Sequence, residues 1–462
     1  MAATHMTEGN ITKHLLSYSI PLILGNMFQL TYHAADSIIV GRLLGMEAVA
    51  AVGTAGPVMN ILILGISGIC IGSSVIMSSA FGAGDHEILK KELATTAVFG
   101  LYFSLLVAGL GILTAWPLLR ALQVPRAILG TATAYLCIIF LGSPFTFFYN
   151  AVSAALKSIG DSKTPLLFLA FSSMLNVVLD ILFIQVFCWG VHGSAAATVA
   201  AQAVSALLCI LYVYCRVPLL KIRRRDFVID GRLLSQTLCY GSVTALQQAC
   251  QPIGKLLIQG AVNTIGIHAI AAFNAVGRID DYACLPEQSI ASGITTFTAQ
   301  NRGAGKGERI RQGFRTGLCL EAGYWVLICA ATWLLKQPIM SLFVPAEDQD
   351  VIALGCSYLS LMAFFYLFPA FTNGFQGFFR GMGDMGITLL GTFIQTSLRV
   401  LFVFLLIPRL GLNGVAIACA IGWSVMLMVE VPYFFHFRKR ALPAVQQRSI
   451  MSASSDRQTP YI

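Results

Sequence analysis

The chain has 462 residues, of which 56% are hydrophobic and only 11% charged, and its mean hydropathy is +0.75. A soluble domain carries about 25% charged residues, so this composition excludes an ordinary soluble enzyme or binding module and points to a polytopic membrane protein. The net charge of +9 does not argue for nucleic acid as a partner, because the basic residues gather at the ends of apolar segments.

Twelve apolar stretches are each about 20 residues or longer, enough to cross a hydrocarbon core of about 30 Å. They run over 15–40, 48–79, 92–116, 128–155, 163–187, 191–215, 237–262, 267–300, 312–335, 350–378, 386–407 and 413–437. Backbone amides in a bilayer must be satisfied inside helices, so the expected fold is all-α, with twelve transmembrane helices in two six-helix lobes. The expected parts are an N-terminal tail (1–14), a first lobe (15–215), a basic linker (216–236), a second lobe (237–437) and a C-terminal tail (438–462). The first stretch is no signal peptide: it is too long, contains Asp36 and lacks a small-residue cleavage site. Residues 1–5, ahead of Met6, read as a cloning remnant.

In chain order, span one carries Gln29 and, two turns on, Asp36 near its outer end. Span two ends in "FGAGDHE" (81–87), whose Gly82 and Gly84 suit a tight turn with positive φ. A phosphate loop would need a preceding strand and a G-K-[ST] that are missing here. Tyr135 lies about seven residues into span four, roughly two turns. Span five contains "NVVLDILFI" (176–184), where Asn176 and Asp180 share one helical face. An Asp in mid-span costs about 2.5–3.5 kcal/mol on insertion scales. Thr198 follows about seven residues into span six. These six residues fall within about two turns of one depth in the outer half of one lobe, so oxygens from several helices can converge. Such a set suits a proton or a small hard cation such as Na⁺, since neighbouring carboxylates cannot all stay ionised unaided. The plain alternative is polar packing between helices, with one protonated Asp.

The linker "RVPLLKIRRRDFVIDGR" (216–232) is a topology signal rather than a lipid or nucleic-acid site. Of the 30 Lys and Arg, five sit in loops on the opposite side (Arg42, Arg120, Arg126, Lys336, Arg409) and three inside spans (Lys255, Arg278, Arg399). The rest lie in the tails and loops of the linker's side, which is therefore cytoplasmic, as are both termini. Span seven carries Gln247, Gln248, Gln251 and Lys255, and span eight "GRIDDYACLPE" (277–287) carries Arg278, Asp280, Asp281 and Glu287. Arg278 and Asp281, three apart, either pair with each other or leave Asp280 or Glu287 to face a cavity and attract a cation. The aromatic run "MAFFYLFPAFTNGFQGFF" (362–379) in span ten reads as packing against lipid. Pro21, Pro57, Pro144 and Pro369 mark hinges or static kinks. The 12 cysteines are scattered singly, with no C-x-x-C, and read as small core residues rather than metal ligands or disulfides.

The chain repeats itself. "LGMEAVAAV" (44–52) returns as "IGIHAIAAF" (265–273), "FGAGDHE" as "RGAGKGE" (302–308), "LKSIGD" (156–161) as "FRGMGD" (379–384) and "GVHGSAA" (190–196) as "GLNGVAI" (411–417). The offset is 221 in three blocks and 223 in one, which marks a duplication. Each half has an even number of spans, so both insert the same way up, and transporters built so bind substrate between the halves. The first half's polar set is not repeated: an offset of 221 puts Leu257 opposite Asp36 and Cys419 opposite Thr198, and 221 to 223 puts Leu401, Phe402 or Val403 opposite Asp180.

"SIPLILGNMFQLTYHAADSIIVGRLLGMEAVAAVG" (19–53), "FGAGD" (81–85), "ALKSIGDSKTP" (155–165) and "TAQNRGAGKGERI" (298–310), in their order and spacing, resemble the multidrug and toxic compound extrusion (MATE) family, in its DinF- and MepA-like bacterial branch. The resemblance covers essentially all twelve spans. It implies an antiporter in the plasma (inner) membrane that expels amphipathic, often cationic, drugs in exchange for H⁺ or Na⁺. The partners are small molecules and membrane lipids, with no nucleic acid, no cofactor beyond the coupling ion, and a monomeric chain. It also implies an Asp in span one, Asn-x-x-x-Asp in span five and Thr in span six as coupling residues, which fall on Asp36, Asn176, Asp180 and Thr198. Some members add a Glu in span seven and an Asp in span ten. Gln251 stands at the first position, and span ten has no acid before its cytoplasmic end, so a second cation site in the C-terminal lobe is not expected. Three other classes compete, and one of them, a passive channel, would need no two-lobe symmetry with one titratable lobe. A lipid-linked oligosaccharide flippase would share the fold but call for a more basic cavity. An enzyme would need paired catalytic groups, whereas the histidines are spread out with no H-x-x-x-H.

Overall fold

The computed structural model describes residues 4–223, 226–345 and 347–455, with the side chains of 33–38, 440–442, 444 and 446–455 outside the description. Among the described residues there are α-helices and no strand. In chain order they are α1 (Ile11–Leu44), α2 (Met46–Gly82), α3 (His86–Ala121), α4 (Arg126–Leu141), α5 (Ser143–Ser158), α6 (Lys163–Ile181), α7 (Val191–Arg216), α8 (Gly231–Val262), α9 (Ile267–Gly303), α10 (Gly307–Phe343), α11 (Gln349–Phe365), α12 (Leu367–Met382), α13 (Met385–Leu410) and α14 (Leu412–Ser455). A five-residue π-helical turn, Leu182–Val186, extends α6. The pairs α4–α5 and α11–α12 are bent by 43° and 42° at short breaks, just before Pro144 and Pro369. Counting each bent pair as one rod, the helices follow the twelve apolar stretches in order.

Seven of the helices are long and apolar enough to cross a membrane on their own, or nine with each bent pair as one span, among the described residues. The others are α1, part of whose side chains lie outside the description, α8, whose apolar run is broken by Gln247, Gln248, Gln251 and Lys255, and α9, whose run is broken by Arg278, Asp280, Asp281 and Glu287.

Polarity is inverted relative to a soluble fold. On α6, Leu167, Phe171, Met174, Val178 and Ile181 form an exposed stripe at helical spacing, while Ser172, Ser173, Asn176 and Asp180 are buried on the other face. That is how a helix behaves when the surrounding solvent is hydrocarbon. The three-Phe patch of α12 departs from the lipid-facing expectation. Phe375, Phe378 and Phe379 are buried among Phe314, Phe434 and Phe437. Gly377 and Gly381 press α12 onto α9, where added Cβ atoms would lie 2.6 Å from the Ala291 carbonyl oxygen and 2.6 Å from Thr298 Cβ. The rings fill the space this leaves on the α10–α14 side. Of the cysteines, Cys70, Cys209 and Cys419 are core residues, but Cys188, Cys215, Cys239 and Cys319 are exposed, and all are free.

The duplication is visible in the backbone. Positive φ recurs at Gly45 and Gly266, Gly84 and Gly305, Gly160 and Gly383, and Gly190 and Gly411, the same offsets of 221 and 223. Gly82 is different: it is the last helical residue of α2, and the turn rests on Gly84.

Two compact units emerge, and their edges differ from the expected lobes. One comprises residues 1–4 and 24–245, the other 5–23 and 246–462. The first half of α8 thus belongs with α2, where Gly68 and Gly72 meet Ala245 and Gly241 so closely that an added Cβ would sit 2.7 Å from the facing backbone nitrogen. This is small-residue packing of two membrane helices. The first half of α1 belongs with α9: Gly293, the repeat of Gly72, lies against Ser19, and the Tyr18 hydroxyl is 2.9 Å from that of Thr296.

Candidate cation-coupling site

In the first unit the polar face of α6 is the centre. Asn176 and Asp180 are both buried, at 1% and 0% exposure, one turn apart. The hydroxyl of Tyr32 on α1 donates to Asn176 Oδ1. The two helices are close enough there that a Cβ on Gly25 would overlap Leu166. The regular helix ends at Ile181, immediately after Asp180, and the π turn begins. Such a turn widens the helix and recurs at functional sites. Beyond it, Phe183, Phe187 and Trp189 stack on one another, with Phe183 and Trp189 centroids 5.0 Å apart.

The other expected members divide. Asp36 lies outside the described side chains. Gln29 is half-buried on α1, one turn before Tyr32, and Thr198 is half-buried on α7. Tyr135 is buried in the apolar cluster of Val40, Ala48, Leu119 and Leu136. Tyr32 went unnoticed in the sequence, although Gln29, Tyr32 and Asp36 fall at helical spacing on one stripe of α1.

The second unit's expected cavity set separates into three places. Gln247 is buried and tied down: its Nε2 donates to Gln376 (2.9 Å) and Thr392 (3.1 Å), and its Oε1 accepts from Arg380 (3.2 Å). Gln248 is partly buried, and Gln251 is exposed and donates to Gln395 at 3.2 Å. Asp281 pairs not with Arg278, which is exposed, but with Lys255 at 3.4 Å across from α8. The i, i+3 pairing gives way because α8 supplies a closer cation. Asp280 accepts from the Tyr366 hydroxyl. Glu287 is fully buried on the α10 side.

Three buried acids escaped the sequence reading: Glu92, Glu321 and Glu430, all at 0% exposure. Glu92 accepts from Thr96 (3.2 Å) and Thr237 (2.5 Å). Glu430 faces Arg380. Lys157 and Arg380, counted among loop residues from sequence, instead end helices α5 and α12 and turn inward. Among the described residues no group of three or more His, Cys, Asp or Glu is arranged to hold a metal ion.

The MatE family model matches residues 21–182 and again 244–405, two copies offset by 223. The chain belongs to the MatE family. Its relatives include the "Probable multidrug resistance protein YpnP" of Bacillus subtilis, 29% identical over 96% of this chain and 99% of that protein. The "Probable multidrug resistance protein NorM" of Thermotoga maritima is 25% identical over 87% and 88%. A crystal structure of a MATE protein in complex with MaL6 superposes with a TM-score of 0.89 over 97% of this chain and all of that one, at 24% identity. The all-α, two-lobed fold of MATE transporters and its multi-pass membrane placement are therefore those of this chain.

Within the MatE repeat, structure fixes a register that sequence left open. A Cβ added at Gly193 of α7 would lie 3.1 Å from the backbone of Phe183, and one at Gly414 of α14 2.9 Å from that of Leu406. Phe183 and Leu406 are thus equivalent, an offset of 223, which places Val403 opposite Asp180 and Arg399 opposite Asn176.

Proposed function

We propose that this MatE protein is a secondary active multidrug efflux antiporter, expelling amphipathic or cationic organic compounds in exchange for H⁺ or Na⁺ by alternating access. The observation that carries the reading is the buried Asn176–Asp180 face of α6, joined by Tyr32 and ending in a π turn. A carboxyl placed there at a cost of a few kcal/mol marks a functional group by default in a membrane protein. Asp36 and Thr198 complete the coupling set. A proton or Na⁺ arriving at Asp180 cancels its charge and re-weights the hydrogen bonds that hold α1 against α6. That gives a coupling ion a differential hold on two arrangements of the helices. The names of the MatE relatives support drugs as cargo. Both termini lie in the cytoplasm, the chain acts as a monomer in the plasma membrane, and no cofactor is needed beyond the coupling ion.

The test is ethidium efflux from proteoliposomes holding the purified full-length protein, with an imposed pH gradient or an imposed Na⁺ gradient. One gradient should drive efflux well above the rate without a gradient. Efflux indifferent to both would sink the antiport reading.

A further inference from the structure

Glu287 on α9 and Glu321 on α10 are both fully buried in the second unit. The turn at 304–306 joins these two helices, and the glutamates stand about 16 and 14 residues from it, so about 24 and 21 Å along the rods at 1.5 Å per residue. They are at one height on neighbouring helices, as the 2.8 Å hydrogen bond from Tyr324 to the Ala283 carbonyl, one turn from each, also shows. None of their four carboxyl oxygens has a hydrogen-bond partner that meets normal geometry among the described residues. The groups around them are Cys284 of α9, Tyr324 of α10 and the Asn373 amide of α12. The Tyr324 hydroxyl is spent on the Ala283 carbonyl at 2.8 Å. Tyr18 of α1 is engaged further along α9, with Thr296. Among the described residues, α11 and α14, which also pack on α9, bring no charged or titratable group to the pair.

The contrast with the other buried glutamates decides what this pair is. Glu92 has two threonine hydroxyls, and Glu430, whose oxygens also lack a hydrogen-bond partner among the described residues, has the Arg380 charge nearby. Among the described residues Glu287 and Glu321 have neither a cation nor a hydroxyl donor. Two carboxylates buried at one height on neighbouring helices without compensation cannot both remain charged, so the pair must hold something positive. Among the described residues the pair and Cys284 are not arranged to hold a metal ion, so a proton shared between the carboxyls fits better.

We propose that Glu287 and Glu321 form a proton-binding pair inside the second unit, a coupling site separate from the Asp180 set. The proton-holding part stands on geometry alone, and its use in transport rests on the antiporter reading above. The repeat gives it no counterpart: positions 66 and 100, at an offset of 221, are Ile66 and Gly100.

The test is pH-difference infrared spectroscopy of the full-length protein in liposomes, between about pH 5 and pH 9, comparing wild type with Glu287→Gln and Glu321→Gln. Wild type should show the carbonyl stretch of a protonated carboxyl that fades as pH rises, and each variant should lose or shift it. Spectra identical in wild type and both variants would overturn the proposal. If one variant fails to fold, the other still decides. In the efflux assay both variants should flatten or displace the pH profile, and unchanged profiles in two folded variants would refute the coupling role. If no gradient drives efflux in wild type, the antiporter reading fails while the infrared result still judges the pair.

Discussion

The two units of this MatE protein keep the same turns and close contacts but bury different chemistry. At the end of the second unit near the turn at Gly383, Arg380 faces Glu430. At the repeated positions of the first unit, Lys157 faces the thiols of Cys209 and Cys70. Toward the opposite end of the units the roles reverse: Asn176 and Asp180 stand where the second unit has Arg399 and Val403. Glycines at positive φ cannot be exchanged without strain, so the turns persist through duplication. A buried polar residue only needs a partner, so pairs can be gained or lost together and the interiors drift apart.

The Arg380–Glu430 pair is where the comparison can be broken most sharply. Arg380→Met leaves Glu430 buried without a cation and should cost about 3–5 kcal/mol, whereas Lys157→Met, with no acidic partner to abandon among the described residues, should stay within about 1 kcal/mol of wild type. Thermal melts in detergent would show it, and equal losses would dissolve the distinction. Next come the helix crossings. Gly72→Leu drives a side chain into the backbone of Gly241 and should destabilise by about 1–3 kcal/mol, while Gly293→Leu meets the movable Ser19 hydroxyl and should cost less. The reverse order in the same melts would mean the two crossings are not equivalent. The smallest effect is expected at the conserved turns: Gly84→Ala and Gly305→Ala, at φ of 76° and 69°, should each lose about 1–2 kcal/mol and match one another.

Much of this was legible in the chain itself. Apolar run length set the helices because hydrocarbon leaves the backbone no other partner, and the glycine blocks set the repeat. Asp180 stood out as a lone acid in a run of hydrocarbon. Glu321 in "GLCLEAGYW" and Glu430 in "MLMVEVPYF" meet that same criterion, so their signal was present. The rest lay in three dimensions. Whether Gln247 lines a cavity or a core depends on where α12 and α13 sit, and the partner of Asp281 came from α8, 26 residues away. The burial of Phe375, Phe378 and Phe379 depends on glycines that draw α12 against α9. The register that sets Val403 opposite Asp180 needed the Gly193 and Gly414 contacts, because the connection after α6 is longer than that after α13.

The central claim is that Asp180 couples an ion to transport rather than gluing helices together. Gradient-driven ethidium efflux per folded molecule of Asp180→Asn tests it most directly, with melting measured alongside. The amide keeps most of the hydrogen-bonding capacity, so the variant should fold with near-normal stability and lose efflux to near background. Asp36→Asn should do the same, and the double variant should be no worse than either, as for groups acting as a unit. Normal gradient-driven efflux in folded Asp180→Asn protein would contradict the account.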